Sequence, residues 1–378
     1  MKICYITTIP LTLDVFVVET AKYIYQHTGW DITFVCSPDE EFQKRLPEYI
    51  HFHPIRMERG ISLSGIRATI ELKRFFDEEK FDLIQYSTPN ASFYASIAGR
   101  ISNIPVRLYC QWGMAYVGFK GIKREIFKCI EKFVCNNSTW IEPDSNSNLK
   151  FSHKEGLYPE AIGSVIGKGS ACGVDLQKFD VTKKPQYRTL IRSKYGIPED
   201  AFAFGFVGRI TRDKGVNELL EAAKSLIKEN NNVYLIMVGP EEVDNTVNRD
   251  LYEWAKKCDR VIFVGFTKIV EQYMAAMDCY VLPSYREGFG MSVVEAEAMA
   301  VPVIITNIPG PIDGIIKDET GLVVEKGNIE ELSWAMKEMM NADVTCYGLN
   351  GLDLARNCFE QKWLFSKILE DRKRLLGV

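Results

Sequence analysis

Glu287-Gly288-Phe289-Gly290-Met291-Ser292-Val293-Val294-Glu295 sets two carboxylates apart with seven residues between them, and what flanks the stretch decides the fold. Upstream lies a short apolar run, Cys279-Tyr280-Val281-Leu282, closed by Pro283-Ser284. A continuous apolar run of that length reads as a parallel strand buried on both faces. Downstream, Ala296-Glu297-Ala298-Met299-Ala300 is made of helix formers. The order strand, glycine loop, helix start aims backbone N–H groups at an anion. Glu295, inside the helical stretch, can accept hydrogen bonds from sugar hydroxyls. An anion site beside a hydroxyl acceptor suits a nucleotide sugar. Two glutamates at this spacing in any other setting are an ordinary helix cap with surface carboxylates.

Working outward, Phe206-Val207-Gly208-Arg209 ends another apolar run, and Lys214-Gly215 leads into Val216-Asn217-Glu218-Leu219-Leu220. A glycine lets the backbone approach a phosphate, an arginine binds it through two N–H groups, and a lysine adds a point charge. Alone, this is a solvated basic turn; upstream of the glutamate pair it reads as the other half of one site. Similar apolar runs predict strands at 2–6, 31–36, 83–86, 106–110, 139–142 and 164–166, then at 202–208, 234–238, 261–264, 279–282, 303–306 and 322–324. The segments between them are long enough for helical crossovers, so two doubly wound α/β halves follow, with ligands at the C-terminal strand ends. The length of 378 residues fits two domains. The polar stretch Val181-Thr182-Lys183-Lys184-Pro185-Gln186 is the expected linker between domains at 1–180 and 187–358.

Composition narrows the class. Hydrophobic residues at 46% and charged residues at 25% are ordinary for a globular protein, and a net charge of −4 argues against bulk nucleic-acid binding. Ten cysteines without C-x-x-C spacing read as reduced thiols of a cytoplasmic protein. Met1-Lys2 leads straight into a strand, and no apolar run is long enough to span a bilayer. His51 and His53 alternate as on one face of a strand, with no carboxylate cluster beside them, so no metal site is expected.

The segment from Leu282 through Glu287, Glu295 and Ile304 resembles the E-x7-E signature of the retaining family-4 glycosyltransferases, in particular those that build bacterial polysaccharides and lipid-linked glycans. Gly208-Arg209 and Lys214-Gly215 resemble that family's G-R-x4-K-G motif. Gly169, Gly173-Val174-Asp175 and Phe179 resemble its G-x-x-x-G-V-D-x-x-x-F segment. The likeness is strong over 165–330 and weak over 1–160. It implies a GT-B fold, with two Rossmann-like domains facing a central cleft, an N-terminal acceptor domain, a C-terminal nucleotide-sugar domain and a final helix (359–378) returning to the first domain. An apolar stripe of Phe359, Trp363, Phe365, Ile368 and Leu375 suits that return.

The resemblance also implies roles. Arg209 and Lys214 would neutralise the donor diphosphate, with Gly208, Gly288, Phe289, Gly290, Met291, Ser292 and Val293 around it. Glu287 would hold donor sugar hydroxyls, Glu295 the ribose, and Gly265 with Phe266 would lie beside the base. Catalysis would rest on Glu287, Arg209 and Lys214, with retention through a same-face displacement. No cofactor or metal is expected, since cations serve the diphosphate and no D-x-D motif is present. The donor would be a UDP-linked hexose or N-acetylhexosamine, and the acceptor a glycan on polyprenyl diphosphate.

Two departures stand out. The loop Thr7-Thr8-Ile9-Pro10-Leu11-Thr12 lacks the family's glycine pair, and Tyr109-Cys110-Gln111-Trp112-Gly113 stands where the family often has a histidine. No catalytic histidine is assigned; Gln111 and Trp112 are candidates to line the same pocket. A sugar epimerase on this fold would need that histidine. An oxidoreductase would need a G-x-G-x-x-G turn, which neither half has. A binding module without activity would have lost Arg209, Lys214 or Glu287.

Residues 118–134 leave two readings open. Phe119, Ile122, Ile126, Ile130, Phe133 and Val134 recur at helical spacing, among Lys120, Lys123, Arg124, Lys128 and Lys132 against Glu125 and Glu131. Either this helix packs on the first sheet with its lysines solvated, or it rests on anionic lipid and places the enzyme at the inner membrane face.

Overall fold

The computed structural model describes residues 1–58, 63–243 and 246–378. Its described residues form two six-stranded parallel sheets. The first contains β1 (Lys2–Ile6), β2 (Asp31–Cys36), β3 (Ile50–Pro54), β4 (Leu83–Tyr86), β5 (Val106–Gln111) and β6 (Trp140–Pro143), in the order β3-β2-β1-β4-β5-β6. The second contains β7 (Phe202–Val207), β8 (Val233–Val238), β9 (Val261–Gly265), β10 (Cys279–Leu282), β11 (Val303–Thr306) and β12 (Gly321–Val324), in the order β12-β11-β10-β7-β8-β9. Numbered from its own first strand, the second sheet repeats the order of the first. In each, consecutive strands step to one edge, and the chain then crosses back to the other side of the first strand. That reversal, between β1 and β4 and between β7 and β10, leaves a crevice at the strand ends where ligands of such sheets bind. The strands form where they do because helices cover both faces: β4, β10 and β11 are buried along their whole length.

The chain divides into two compact units, Met1–Cys172 with Lys362–Val378, and Gly173–Gln361. The passage between them thus falls well before the expected linker. Residues 181–186 are helical instead: a single 3-10 turn, Val181–Lys183, runs into the helix Lys184–Tyr195. The polar pattern misleads because Lys184 is drawn inward, its Nζ donating to the Ala300 carbonyl at 2.6 Å. Residues 164–166 are not a strand. Gly163 bridges Ile141 once, and the chain then turns back, the Gly169 N–H donating to the Ile166 carbonyl. β3 is a strand that the apolar pattern did not give.

The last helix, Gln361–Leu376, belongs to the first unit. Leu364, Phe365, Ile368 and Leu369 enter the core that contains Ile3, Tyr5 and Phe34. Phe359 precedes this helix and lies in the second unit's core, 5.3 Å from Phe289 ring to ring. Arg372 is enclosed, with both terminal nitrogens on Glu142 of β6 and one also 3.1 Å from Gln85 Oε1 of β4. A buried guanidinium is tolerable only with such partners.

Candidate active site

The crevice at the β7/β10 reversal is closed by two turns that touch. After β7, Thr211–Lys214 turns into Gly215 (φ +72°), which starts the helix Val216–Glu229. A Cβ at Gly215 would lie 2.0 Å from the Pro283 carbonyl oxygen, so only glycine lets this turn press on the one after β10. The Tyr285 N–H donates to the Asp213 carbonyl at 2.9 Å and ties the two together.

That contact brings Lys214 to Glu287. Its Nζ donates to both carboxylate oxygens, at 2.6 and 2.8 Å. Ser284 Oγ donates to Glu287 Oε1 at 2.6 Å, and Thr306 Oγ1 on β11 donates to the Ser284 carbonyl at 2.5 Å. The first signature glutamate is therefore fixed from two sides. Asp213 gathers the other cations: Arg286 Nη2 stands 2.8 Å and Arg209 Nη2 3.7 Å from its Oδ2, while Thr211 donates to Oδ1. Burial would raise the Asp213 pKa. The Thr211 hydrogen bond and the charges of Arg286, Arg209 and Lys214 outweigh it and hold the carboxyl below its usual range. Arg209 also reaches Glu242, 2.9 Å away, and is half exposed. Three cations and their internal carboxylates thus lie at one strand-end crevice.

The glycine loop after β10 ends at Gly290 (φ +84°), which caps the helix Met291–Ala298. Phe289 and Val293 point into the core, and Ser292 receives the Tyr280 hydroxyl at 2.6 Å. Of these residues it is the backbone at the helix start, not the side chains, that suits an anion. Glu295 lies one turn on and stays partly open to solvent. Its surroundings push its pKa up to about 7: burial raises it most, Lys178 pulls it down and Glu271 pushes it up. Gly265 and Phe266 end β9, two strands out from β7 and so roughly 10 Å to the side. The Gly239 N–H donates to the Gly265 carbonyl, and Phe266 exposes its ring.

Sequence reasoning missed Arg286, Asp213 and Ser284. Arg286 sits next to Glu287, which was the available signal; Ser284 and Asp213 matter through contacts that spacing does not reveal. The expectation for Gln111 fails. Its amide is enclosed between Glu131 (2.7 Å) and Ser152 (2.8 Å) within the first unit, so it lines no open pocket. Trp112 packs on Phe16, 5.5 Å ring to ring.

Comparison with known proteins bears on the family and the fold. Residues 188–348 match the family described as "Glycosyl transferases group 1", and residues 2–145 the family described as "Glycosyl transferase 4-like". The chain is similar to the capsular polysaccharide biosynthesis glycosyltransferase CapM of Staphylococcus aureus, 29% identical over 342 residues that cover 89% of this chain and 88% of that protein. It is also similar to the UDP-Gal:alpha-D-GlcNAc-diphosphoundecaprenol alpha-1,3-galactosyltransferase of Escherichia coli, 26% identical over 343 residues, 87% of this chain and 85% of that one. Among solved structures, Anabaena Alr3699/HepE in complex with UDP shares the fold with a TM-score of 0.80, at 19% identity, covering 99% of this chain and 100% of that one. Each family match lies within one of the two units, so the chain carries a glycosyl transferase 4-like domain followed by a glycosyl transferases group 1 domain, and its fold is GT-B.

Proposed function

We infer that the enzyme moves a sugar from a UDP-linked donor to a glycan carried on a polyprenyl diphosphate, with retention of configuration, in bacterial cell-surface polysaccharide biosynthesis. The observation that carries the donor assignment is the Lys214–Glu287 pair at the β7/β10 reversal, with Arg209 and Arg286 beside it. A nucleoside diphosphate leaves readily only where its growing charge meets fixed cations. An entering diphosphate offers Lys214 a stronger anionic partner and so releases the Glu287 carboxylate to take sugar hydroxyls. Ser284 keeps that carboxylate in place during the exchange. Donor binding therefore creates the sugar-binding group. Glu295 takes the ribose, and Gly265 with Phe266 flank the base. With the leaving group held by Arg209, Lys214 and the helix start at Gly290, departure and attack on one face of the sugar retain its configuration and need no divalent metal.

The relatives support the substrate classes. The Escherichia coli protein is named for UDP-Gal and a diphosphoundecaprenol acceptor. A Campylobacter jejuni relative, 24% identical over 315 residues, is named for a diphospho-undecaprenol acceptor as well. Contact with the membrane fits the Gly121–Asn137 helix. It buries Glu131, Val134 and Cys135 but leaves Ile122 (81%), Ile126 (51%) and Phe133 (43%) exposed. Ile122, Ile126 and Phe133 line one groove, and a contiguous patch of exposed apolar side chains marks an interaction surface. Arg124 and Lys128 are held by Glu155 at 2.7 and 2.8 Å, which leaves Lys120, Lys123 and Lys132 as the cations for anionic lipid.

The test is a panel of nucleotide sugars scored by thermal shift and slow hydrolysis, then transfer to a short-chain polyprenyl-diphosphate-linked sugar in EDTA. One UDP-sugar should stabilise the protein and be transferred without metal, with an α-linked product from an α-linked donor. Inversion, or transfer only after Mg²⁺ or Mn²⁺ is restored, contradicts the mechanism; failure of every nucleotide sugar contradicts the function.

A further inference from the structure

The first unit holds a cavity that the reading of the donor site does not use. It is an apolar pocket of about 670 Å³ in the first unit, between the helices Leu63–Glu79, Pro89–Ile101 and Gly121–Asn137. Ile66, Ile70, Phe93, Ile97, Phe127 and Ile130 wall it. Packed interiors leave few voids larger than a water molecule, whereas pockets for small molecules run from about 300 to 1,000 Å³. A space of this size between three helices falls in the range of ligand pockets.

Two of its wall residues, Phe93 and Ile130, also wall a second, shallower groove with Ile122, Ile126 and Phe133. The exposed apolar stripe of the Gly121–Asn137 helix and the enclosed pocket are thus one continuous track from surface to interior. Glu131 also lines the pocket; its Oε1 accepts from Tyr109 Oη (2.8 Å) and Gln111 Nε2 (2.7 Å), and burial raises its pKa, which favours the neutral acid. Aromatic edges from Phe93, Tyr94, Tyr109 and Tyr116 suit a flat, unsaturated chain. The groove also carries Glu125 and Cys129, and the helix that walls it has Lys123 and Lys132 exposed, with Lys120 exposed just before its start. An apolar pocket that opens onto an apolar groove, walled by a helix with exposed cations, fits an amphiphile with an anionic head and a hydrocarbon tail.

We propose that this pocket takes one isoprenoid segment of the acceptor's polyprenyl diphosphate carrier, drawn out of the membrane along the Ile122–Ile126 stripe. The proposal rests on the lipid-linked acceptor assigned above and adds the place where the chain is held. The occupant is a single lipid chain, in keeping with the apolar lining and with the lipid-linked acceptor.

The experiment measures equilibrium dialysis of labelled farnesyl diphosphate, a water-soluble isoprenoid, against the whole protein, with inorganic diphosphate and dodecyl phosphate as competitors. Thr69→Trp fills the pocket from within, and Ile66→Asp places a charge at its exposed mouth. Both should weaken farnesyl diphosphate by roughly tenfold or more, and both should leave UDP-sugar hydrolysis, which belongs to the other unit, at the wild-type rate. Farnesyl diphosphate bound no better than inorganic diphosphate, or equally well by both variants with hydrolysis intact, overturns the pocket. Equal competition by dodecyl phosphate overturns the isoprenoid assignment in favour of an ordinary acyl chain. If no UDP-sugar is hydrolysed or transferred while farnesyl diphosphate still binds, the donor reading fails and the pocket stands.

Discussion

At the β7/β10 reversal the second unit gathers Lys214, Arg209 and Arg286 around Asp213 and Glu287. At the matching β1/β4 reversal the first unit places Thr8 against Thr88, hydroxyl to hydroxyl at 2.7 Å, with the Thr8 N–H also donating to Thr88 at 2.8 Å. The sheets share one strand order, so the scaffold offers both units the same crevice. One fills it with charge and the other spans it with neutral hydrogen bonds. The first unit keeps its open space elsewhere, in an apolar pocket between helices. One topology thus places charged side chains at its strand ends in one copy and an apolar pocket between its helices in the other.

The contrast can be broken most forcefully at Arg372, which is 1% exposed and the only guanidinium bonded to Glu142 among the described residues. Removing one partner of a buried pair costs about 3–5 kcal/mol. Arg372→Ala should lower stability in urea by that much while UDP still binds to the other unit. An unchanged unfolding midpoint would show that the last helix is not held by this pair.

Next come the donor cations. Lys214→Ala and Arg209→Ala should each lose about 2–4 kcal/mol of transition-state stabilisation, read as kcat/KM. Lys214 should lose more, because Arg209 is the more solvated of the two. Near wild-type rates in both would leave the diphosphate without its assigned partners.

A smaller effect concerns pH. Glu295 sits at about 7 in the empty site because of burial. Hydrogen bonds from ribose hydroxyls favour its ionised form, so binding of a UDP-sugar expels a proton wherever the empty site is protonated. Affinity should therefore fall by up to about tenfold per pH unit below about pH 7, and Glu295→Gln should abolish the slope. For stability the sign reverses. A carboxyl raised above its unfolded value stabilises fully below about pH 4 and loses that contribution as pH rises through about 7. Glu295→Gln should thus raise the melting temperature more at pH 8 than at pH 5. The smallest effect is on the other side of the comparison: Thr8→Val should cost about 1 kcal/mol of stability and leave UDP binding untouched.

How much of this was legible follows from the same contrast. The second unit's strands are unbroken apolar runs, so sequence alone placed them, and the two short motifs it singled out contain Lys214 and Glu287, which the fold brings into contact. β3 hid because it is an edge strand, Ile-His-Phe-His-Pro, only partly buried; the alternation of His51 and His53 was its one trace. Residues 164–166 look extended, but the glycines at 167 and 169 turn the chain. Lys184 misled because its partner, Ala300, is far away in sequence. The apolar pocket had no signature, since three helices from separate stretches build it. In residues 118–134 periodicity gave the helix, while which face would be covered depended on neighbours that periodicity does not name.

The most direct test of the central claim is calorimetry of free UDP and of the UDP-sugar on wild type and Glu287→Ala. In the empty enzyme Glu287 occupies Lys214 through both carboxylate oxygens, at 2.6 and 2.8 Å. Its removal should leave UDP bound as tightly as before, or more tightly, because Lys214 is then free for the diphosphate, while the added affinity due to the sugar disappears. A Glu287→Ala protein that loses free UDP and keeps the sugar-dependent increment would contradict the assignment of Lys214 to phosphate and Glu287 to sugar.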